Sequence, residues 1–225
     1  RANKIKSDFL GNMSHEIRTP ISTILGMNEM ILNESDNREI IGYAQNIRNA
    51  GNILLALVND VLDFAKIEAG KMEITPVRYE LRNMLNDLMQ TIGTRASMKG
   101  LAIELDVEKT TPNILYGDEI RIRQAVTNLL TNAVKYTQKG GITLKVRYVG
   151  EEELRLYISV SDTGIGIRKE DQNRLFQSFV RLDENRNRSI EGTGLGLAIT
   201  SHIIRSMNGN IELESEYGKG TTFTI

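Results

Sequence analysis

Two consecutive apolar stripes with helical spacing fill the first 70 residues, and they constrain the fold more than any other feature. Over 5–32 the apolar side chains recur every three or four residues, which predicts one long amphipathic helix. A polar break at 33–37 predicts a turn, and Asp36 with Glu39 forms a capping box for a second helix. The second stripe alternates spacings of three and four residues, as coiled coils do, and ends before Gly70.

A single hairpin of two such helices cannot bury both apolar seams. Pairing two hairpins into a four-helix bundle would bury them. The alternative is a hairpin that packs on a second domain of its own chain. We therefore expect residues 1–70 to form an all-α dimerisation domain and the protein to be a homodimer.

The pattern beyond residue 70 is that of a different domain. Alternating apolar residues predict strands at 72–77, 103–107, 142–148, 154–160, 211–215 and 221–225. Helical stripes predict helices at 81–97, 118–136 and 195–207, with a short helix before 181. Helices covering one face of a mixed sheet make an α/β sandwich, which we expect over residues 71–225.

Composition excludes several classes of function. The 28 Lys and Arg residues balance 29 Asp and Glu residues, so the net charge of −1 gives no sign of nucleic-acid binding. The chain has no cysteine, so it has neither disulfides nor thiolate metal sites. No apolar run is long enough to span a membrane. We expect a cytoplasmic fragment of a longer protein, in which any membrane anchor would lie in other segments.

His15 lies opposite the apolar stripe of the first helix, so it is expected to face solvent. Glu16 follows it, and Thr19 lies one turn further along the same side. A neutral imidazole is a nucleophile, and a neighbouring carboxylate can accept its other ring proton. Pro20 cannot donate a backbone hydrogen bond and should bend the helix near this cluster. From the residues alone, a solvated surface histidine beside a charge is the favoured interpretation.

A polar face on the predicted helix 118–136 carries Asn128, Asn132, Lys135 and Tyr136. Amide oxygens are hard ligands that suit Mg²⁺, and a lysine one turn away could contact phosphates. The alternative is a helix face that is merely solvated.

Two glycine-rich segments follow. Asp162 stands at a strand end before Gly164 and Gly166, where a carboxylate could accept a hydrogen bond from an exocyclic amine such as that of adenine. The segment 192–197 opens a helix, whose free N–H groups bind phosphate without a fixed positive charge. It is neither a P-loop nor a dinucleotide-binding fingerprint. The polar stretch 183–190 between them is a candidate for a mobile lid.

The run of residues 7–20 closely resembles the phospho-acceptor box of sensor histidine kinases. The asparagine helix, Asp-x-Gly-x-Gly, the paired phenylalanines and Gly-Thr-Gly-Leu-Gly resemble, in order, the N, G1, F and G2 boxes of the kinase ATP-binding domain. That GHKL-type (Bergerat) domain is similar to those of DNA gyrase, a heat-shock chaperone and the mismatch-repair ATPases. The resemblance implies ATP-dependent autophosphorylation of a histidine, followed by transfer to an aspartate of a response-regulator receiver domain, on a separate protein or on the same chain.

The resemblance also implies roles for individual residues. His15 would be the phospho-acceptor, Glu16 the acid/base, and Thr19 would help to dephosphorylate the regulator. Asn132 would coordinate Mg²⁺, with Asn128 near the metal and phosphates. The remaining nucleotide contacts would come from Lys135, Tyr136, Asp162, Gly164, Gly166, Ile167, Phe179, Arg181, Thr193, Gly194, Leu195 and Gly196.

One departure from the wider superfamily is informative. Gyrase-like ATPases carry a water-activating glutamate where this chain has Asn128, so direct ATP hydrolysis should be slow. That residue and the acceptor hairpin disfavour a gyrase-like ATPase. A nucleotide-sensing scaffold without catalysis is disfavoured because His15, Asn132 and Asp162 are all present.

Overall fold

A computed structural model describes residues 2–150, 155–180 and 194–225, with side chains from residue 16 onward. The chain divides into two compact units, Arg1–Met72 and Glu73–Ile225. The helical hairpin and the mixed α/β sheet predicted from the sequence are both confirmed. No helix in the described ranges has the length and apolar character needed to cross a membrane.

The first unit is an antiparallel hairpin of α1 (Ala2–Glu34) and α2 (Arg38–Glu68). The prediction that Asp36 caps α2 is wrong by one residue. Asn37 is the N-cap, because its side-chain oxygen accepts from the Glu39 N–H at 2.9 Å and the Ile40 N–H at 3.4 Å. The expected glycine stop is confirmed: Gly70 adopts φ 64° directly after the last turn of α2.

Few side chains of the hairpin are buried within one copy of the chain. Ile21, Asn28, Ala44 and Ala65 form its interior. Large apolar side chains remain exposed along both helices, namely Ile17, Ile24, Met27, Met30, Ile31, Ile40, Tyr43, Ile47, Ile53, Leu54 and Val61. The first unit therefore leaves most of its apolar stripe uncovered.

The second unit contains a two-stranded and a five-stranded sheet. Its strands are β1 (Val77–Glu80), β2 (Ala102–Val107), β3 (Ile114–Gly117), β4 (Gly141–Val149), β5 (Arg155–Asp162), β6 (Glu212–Glu216) and β7 (Gly220–Thr224). Its helices are α3 (Leu81–Met98), α4 (Glu119–Tyr136), α5 (Lys169–Gln172) and α6 (Gly196–Ser206). The five-stranded order is β2-β4-β5-β7-β6, with β2 parallel to β4 and the other pairs antiparallel.

Two strand predictions need correction. The strand predicted at 72–77 lies further along the chain: residues 72–76 form no strand, and β1 begins at Val77. It pairs with β3, which the sequence did not predict. Both strands are four residues long, so each is too short for an alternating pattern to stand out.

The core lies between the five-stranded sheet and its helices. On β4, Ile142, Leu144 and Val146 are buried while the intervening residues are not, so only one face of the sheet is covered. The apolar sides of α3 and α4 cover that face, with Met84, Ile92 and Leu130 essentially inaccessible to solvent. Burial of these side chains fixes which side of α4 remains for the polar residues.

Candidate nucleotide site

The polar side of α4 is positioned by the burial of its opposite side. Val126, Leu129, Leu130 and Ala133 lie in the core, so the predicted side chains at 128, 132, 135 and 136 are turned away from the core centre and are half-buried. The start of α4 is fixed by Asp118, whose carboxylate accepts from the Arg121 N–H at 3.0 Å and the Thr75 N–H at 2.8 Å.

Asn128 lies against the first turn of α6. Its Nδ2 donates to Thr200 Oγ1 at 2.9 Å. A Cβ placed on Gly196 would collide with the Asn128 side-chain oxygen, so only glycine allows this approach. The structure therefore joins two predicted site residues, Asn128 and Gly196, at the N-terminal end of α6.

Asn132 lies one turn further along α4, half-buried, and its amide makes no hydrogen bond to any described residue. Lys135 follows, with its Nζ 5.0 Å from the centre of the Tyr136 ring. This end of α4 presents an amide and a cation to its surroundings. Both groups suit a polyphosphate and its metal.

Asp162 ends β5 and is held from several sides. Its Oδ1 accepts from the Gly164 N–H at 2.8 Å. Burial raises the pKa of the Asp162 carboxyl, and donation from Gly164 and Thr221 N–H groups and the Thr137 hydroxyl only partly offsets that effect. A half-buried carboxylate of this kind is an acceptor suited to an exocyclic amine.

The surroundings of Asp162 leave no space for a side chain at position 164. A Cβ on Gly164 would lie 2.6 Å from the Tyr136 carbonyl oxygen, 2.7 Å from Asp162 Oδ1 and 3.0 Å from Thr137 Oγ1. The Thr137 hydroxyl is fully buried and, within the described residues, has no partner at full hydrogen-bond geometry. A buried hydroxyl beside a carboxylate favours a polar ligand at this place.

The loop after Asp162 is held by backbone contacts. The Ile165 N–H donates to the Tyr136 carbonyl at 3.3 Å, which joins the loop to the end of α4. Gly166 adopts φ 66°, where a Cβ would strike the Glu216 carbonyl. The Ile167 N–H donates to Ser215 Oγ at 2.8 Å. The loop is therefore shaped before any ligand arrives.

Phe179 and Gly194 meet through their backbones. The Phe179 N–H donates to the Gly194 carbonyl at 3.1 Å, and both residues have positive φ, 65° and 71°. Leu195 is fully buried, so only its backbone could contact a ligand. The predicted contacts Arg181 and Thr193, and the candidate lid 183–190, lie outside the described residues.

The other predicted residues belong to the helical unit. His15 is within α1, and its side chain lies outside the described set. Glu16 and Thr19 are exposed, and Thr19 is one helical turn after His15. Arg18 donates to Asn59 Oδ1 on α2 at 3.0 Å, which ties this part of α1 to its neighbour.

The residues of the second unit suit ATP. The half-buried Asp162 carboxylate and the buried Thr137 hydroxyl both lie close to Gly164, and both are polar groups that suit a purine amine. The Asn132 amide is available for a metal or phosphate. Among the described residues no three His, Cys, Asp or Glu side chains are grouped to hold a metal ion, so Mg²⁺ would need phosphate oxygens as further ligands.

Sequence reasoning missed four hydroxyl groups that complete this region. Thr200 contacts Asn128, Thr137 lies beside Asp162, and Ser215 contacts both the Ile167 N–H and Thr221 Oγ1. Threonine and serine carry no motif of their own. Only the pairing of β5 with β7 and of β6 with β7, which is not readable from local spacing, places Thr221 and Ser215 here.

A helical hairpin followed by this α/β unit defines the catalytic core of a histidine kinase. Two family models match the chain: the His Kinase A (phospho-acceptor) domain over residues 5–70, and the histidine kinase-, DNA gyrase B- and HSP90-like ATPase over residues 117–225. The two matches follow one another along the chain and identify it as a histidine kinase catalytic core, as the resemblance predicted.

Relatives and solved structures agree with this assignment. The chain is 38% identical over 224 residues to the signal transduction histidine-protein kinase BarA of Escherichia coli (strain K12), covering 99% of this chain and 24% of that protein. It is 40% identical over 226 residues to the sensor protein GacS of Pseudomonas syringae pv. syringae, covering 100% of this chain and 25% of that protein. It thus spans about a quarter of their length.

The structure of full-length ShkA in complex with AMPPNP aligns with a TM-score of 0.77 and 34% identity, over 96% of this chain and 44% of that one. The Acinetobacter baumannii histidine kinase AdeS aligns with a TM-score of 0.62 and 24% identity. The alignment covers 94% of this chain and 96% of that one, and it supports the fold.

Proposed function

We propose that residues 71–225 bind ATP with Mg²⁺ and that the γ-phosphoryl group is transferred to His15 in a dimerisation and phosphotransfer domain of residues 1–70. The observation that supports an ATP site is that α4 contacts both of the glycine-rich segments. Its middle contacts the start of α6 through Asn128, and its end contacts the loop after Asp162 through Tyr136. Adenine and phosphate contacts would then lie on one continuous surface.

Different residues would bind different parts of ATP and its Mg²⁺. Asp162 would accept from the adenine amine, Lys135 would contact phosphate, and the start of α6 would contribute N–H groups and a favourable helix dipole. Asn132 and Asn128 would hold Mg²⁺. When bound, the metal neutralises charge that builds up on the transferring phosphoryl group.

Transfer to His15 requires one imidazole nitrogen in line with the γ-phosphorus. The N–P bond forms as the bond from phosphorus to the bridging oxygen breaks, and ADP leaves with the electron pair. The proton on the other ring nitrogen passes to the Glu16 carboxylate, or is shared with it, which prevents positive charge from remaining on the ring. Exposure of Glu16 leaves it free to serve a ligand that arrives from solvent.

The phosphorylated histidine would then donate to an aspartate of a response-regulator receiver domain. The relative BarA is named a signal transduction histidine-protein kinase and the relative GacS a sensor protein, and both names support a role in signal transduction. A homodimer formed through α1 and α2 is supported by the apolar side chains that one copy leaves exposed.

The decisive experiment is incubation with γ-labelled ATP and Mg²⁺ of the chain and its His15→Gln variant. We expect acid-labile, alkali-stable label on the parent and none on the variant. The control is His202→Gln, which removes the other histidine and should keep the label. Label that persists in His15→Gln, or nucleotide binding without label in the parent, would contradict the kinase proposal. Sustained phosphate release from both proteins would favour an ATPase.

We propose phosphatase activity toward the phosphorylated regulator as a second function, because Thr19 is exposed and one turn from His15. Its hydroxyl could orient the water that attacks the phospho-aspartate. Thr19→Ala should keep autophosphorylation and slow regulator dephosphorylation by about tenfold or more. Thr23→Ala, one turn further, is the matched control. Equal dephosphorylation by all three proteins would exclude this role.

A further inference from the structure

Thr200 is a buried hydroxyl that no motif identifies. It lies on α6 with 1% of its surface exposed. Its Oγ1 accepts from Asn128 Nδ2 at 2.9 Å. The contact joins α4 to α6 directly beside the expected phosphate position.

The hydrogen bond determines which way the Asn128 amide faces. Because Asn128 Nδ2 donates to Thr200, the Asn128 amide oxygen points toward Gly196, one turn earlier on α6. Gly196 opens the helix, and its N-cap residue Leu195 supplies no side-chain hydrogen bond to the first N–H groups. An oxygen is favoured at this positive helix end, whereas an NH₂ group would be repelled.

Gly196 and Thr200 therefore act on Asn128 as a pair. The absence of a side chain on Gly196 lets the amide oxygen approach, and the Thr200 hydroxyl holds the nitrogen at the other side. Asn132, one turn along α4, has no comparable partner among the described residues. Among the described residues, only the Asn128 amide of this pair has a partner that orients it before the ligand binds.

We propose that Thr200 is a positioning residue that holds the Asn128 oxygen toward Mg²⁺ and the phosphates. The inference rests on the proposed function, since it assigns a support to one of its ligands. Without the hydroxyl, Nδ2 loses its acceptor, and rotation of the amide by half a turn would present NH₂ where a metal needs oxygen.

The first test measures the interaction between Thr200 and Asn128 in the absence of nucleotide. Thr200→Val, Asn128→Ala and the double variant are unfolded in urea, and their equilibrium constants form a double-mutant cycle. We expect a coupling of about fivefold in the unfolding constant, the size expected of a buried neutral hydrogen bond. A coupling factor indistinguishable from one would mean that the two side chains do not interact, and it would overturn the proposed contact.

The second test separates orientation from mere packing. ADP binding is measured without metal and in a Mg²⁺ titration, alongside autophosphorylation. Thr200→Val should leave metal-free ADP binding within about twofold of wild type and weaken Mg²⁺-dependent binding by about tenfold. Thr200→Ser restores the hydroxyl and should recover most of the loss. Ser201→Ala removes a buried hydroxyl from the adjacent position of α6 and is the control.

The outcomes are distinguishable. Two outcomes would show that Thr200 is only a packing residue: an equal loss of metal-free and Mg²⁺-dependent ADP binding in Thr200→Val, or no rescue by Thr200→Ser. Either would overturn this inference and leave the proposed function standing. A wild-type chain that binds no ADP under either condition would overturn the proposed function and this inference together.

Discussion

The Lys99 ammonium group donates to the Val134 carbonyl oxygen at 2.8 Å, and it also reaches the Lys135 carbonyl oxygen at 3.2 Å. These carbonyls belong to the last turn of α4, which has no following turn to accept from. A cation at a helix C-terminus also interacts favourably with the helix dipole. Lys99 therefore fixes the end of the helix that carries Asn132, Lys135 and Tyr136.

Replacing Lys99 by Met should lower the free energy of unfolding of the second unit by about 1 kcal/mol, because one charged donor and its dipole interaction are lost. It should also raise the KM for ATP, since the end of α4 would fray. Urea unfolding and an ATP titration measure both effects. Lys109→Met, at an exposed turn, is the control and should change neither. Equal effects of the two substitutions would contradict the capping role.

The nucleotide loop depends on glycine at one strained position. Gly166 has φ 66°, and a Cβ there would strike the Glu216 backbone. Gly166→Ala should therefore destabilise the second unit by about 2 kcal/mol or more and abolish nucleotide binding. Gly93→Ala on α3 is the matched control, because its surroundings are open within 4 Å. It should stabilise the unit by about 0.5–1 kcal/mol. Thermal unfolding of the two variants should shift in opposite directions.

The sequence predicted those parts of the fold whose signal is local. Helix α4 and its polar face follow from a repeating pattern of one segment, and so does the glycine stop at Gly70. The N-cap shifted from Asp36 to Asn37 because neighbouring Asp and Asn cap equally well. Strands β1 and β3 stabilise each other by pairing across an intervening helix and strand, so neither was readable alone.

The same limit applies to the site. Asn128, Asn132 and Asp162 stand in recognisable spacings, whereas Thr200 reaches Asn128 across 72 residues of chain. Contacts of that kind depend on how α6 crosses α4, which no local period encodes. The hydroxyl beside Asp162 was missed for the same reason, since Thr137 is the residue that follows α4 and Asp162 ends a strand.

The raised pKa of Asp162 predicts a particular pH dependence. Because burial raises the pKa above the ordinary 3.8, the folded state binds this proton more tightly than the unfolded state does. The stability that Asp162 contributes is therefore full below pH 3.8 and is lost as pH rises through the raised pKa. Asp162→Asn carries no titrating proton, so its unfolding free energy should fall less than that of wild type over this window.

Urea unfolding of both proteins at a series of pH values from 3.8 upward checks the difference in slope. The same variant should bind ATP at least about tenfold more weakly, because an amide has one acceptor oxygen where the carboxylate has two. The Gly164 N–H already donates to Oδ1, so the adenine amine would meet the NH₂ group. Asp171→Asn, on the short helix α5, is the control for the loss of a charge. Parallel pH curves for wild type and Asp162→Asn would contradict the raised pKa.

The last prediction concerns the helices of the first unit. Ile24 is 54% exposed on α1, and apolar neighbours continue the same uncovered stripe on both helices. In a four-helix bundle of two hairpins these side chains would become core, and a glutamate among them would leave an unpaired buried charge. Ile24→Glu should therefore shift the protein from dimer to monomer in sedimentation velocity at micromolar concentration.

Met98 provides the matched control, because it is 84% exposed and ends α3 in the second unit. Met98→Glu introduces the same charge at an apolar side chain that is more exposed than Ile24, and it should leave the dimer intact. The comparison separates the loss of a specific interface from a general effect of added negative charge. A dimer that survives Ile24→Glu unchanged would place the interface elsewhere, and the exposed stripe of α1 and α2 would then need a different partner.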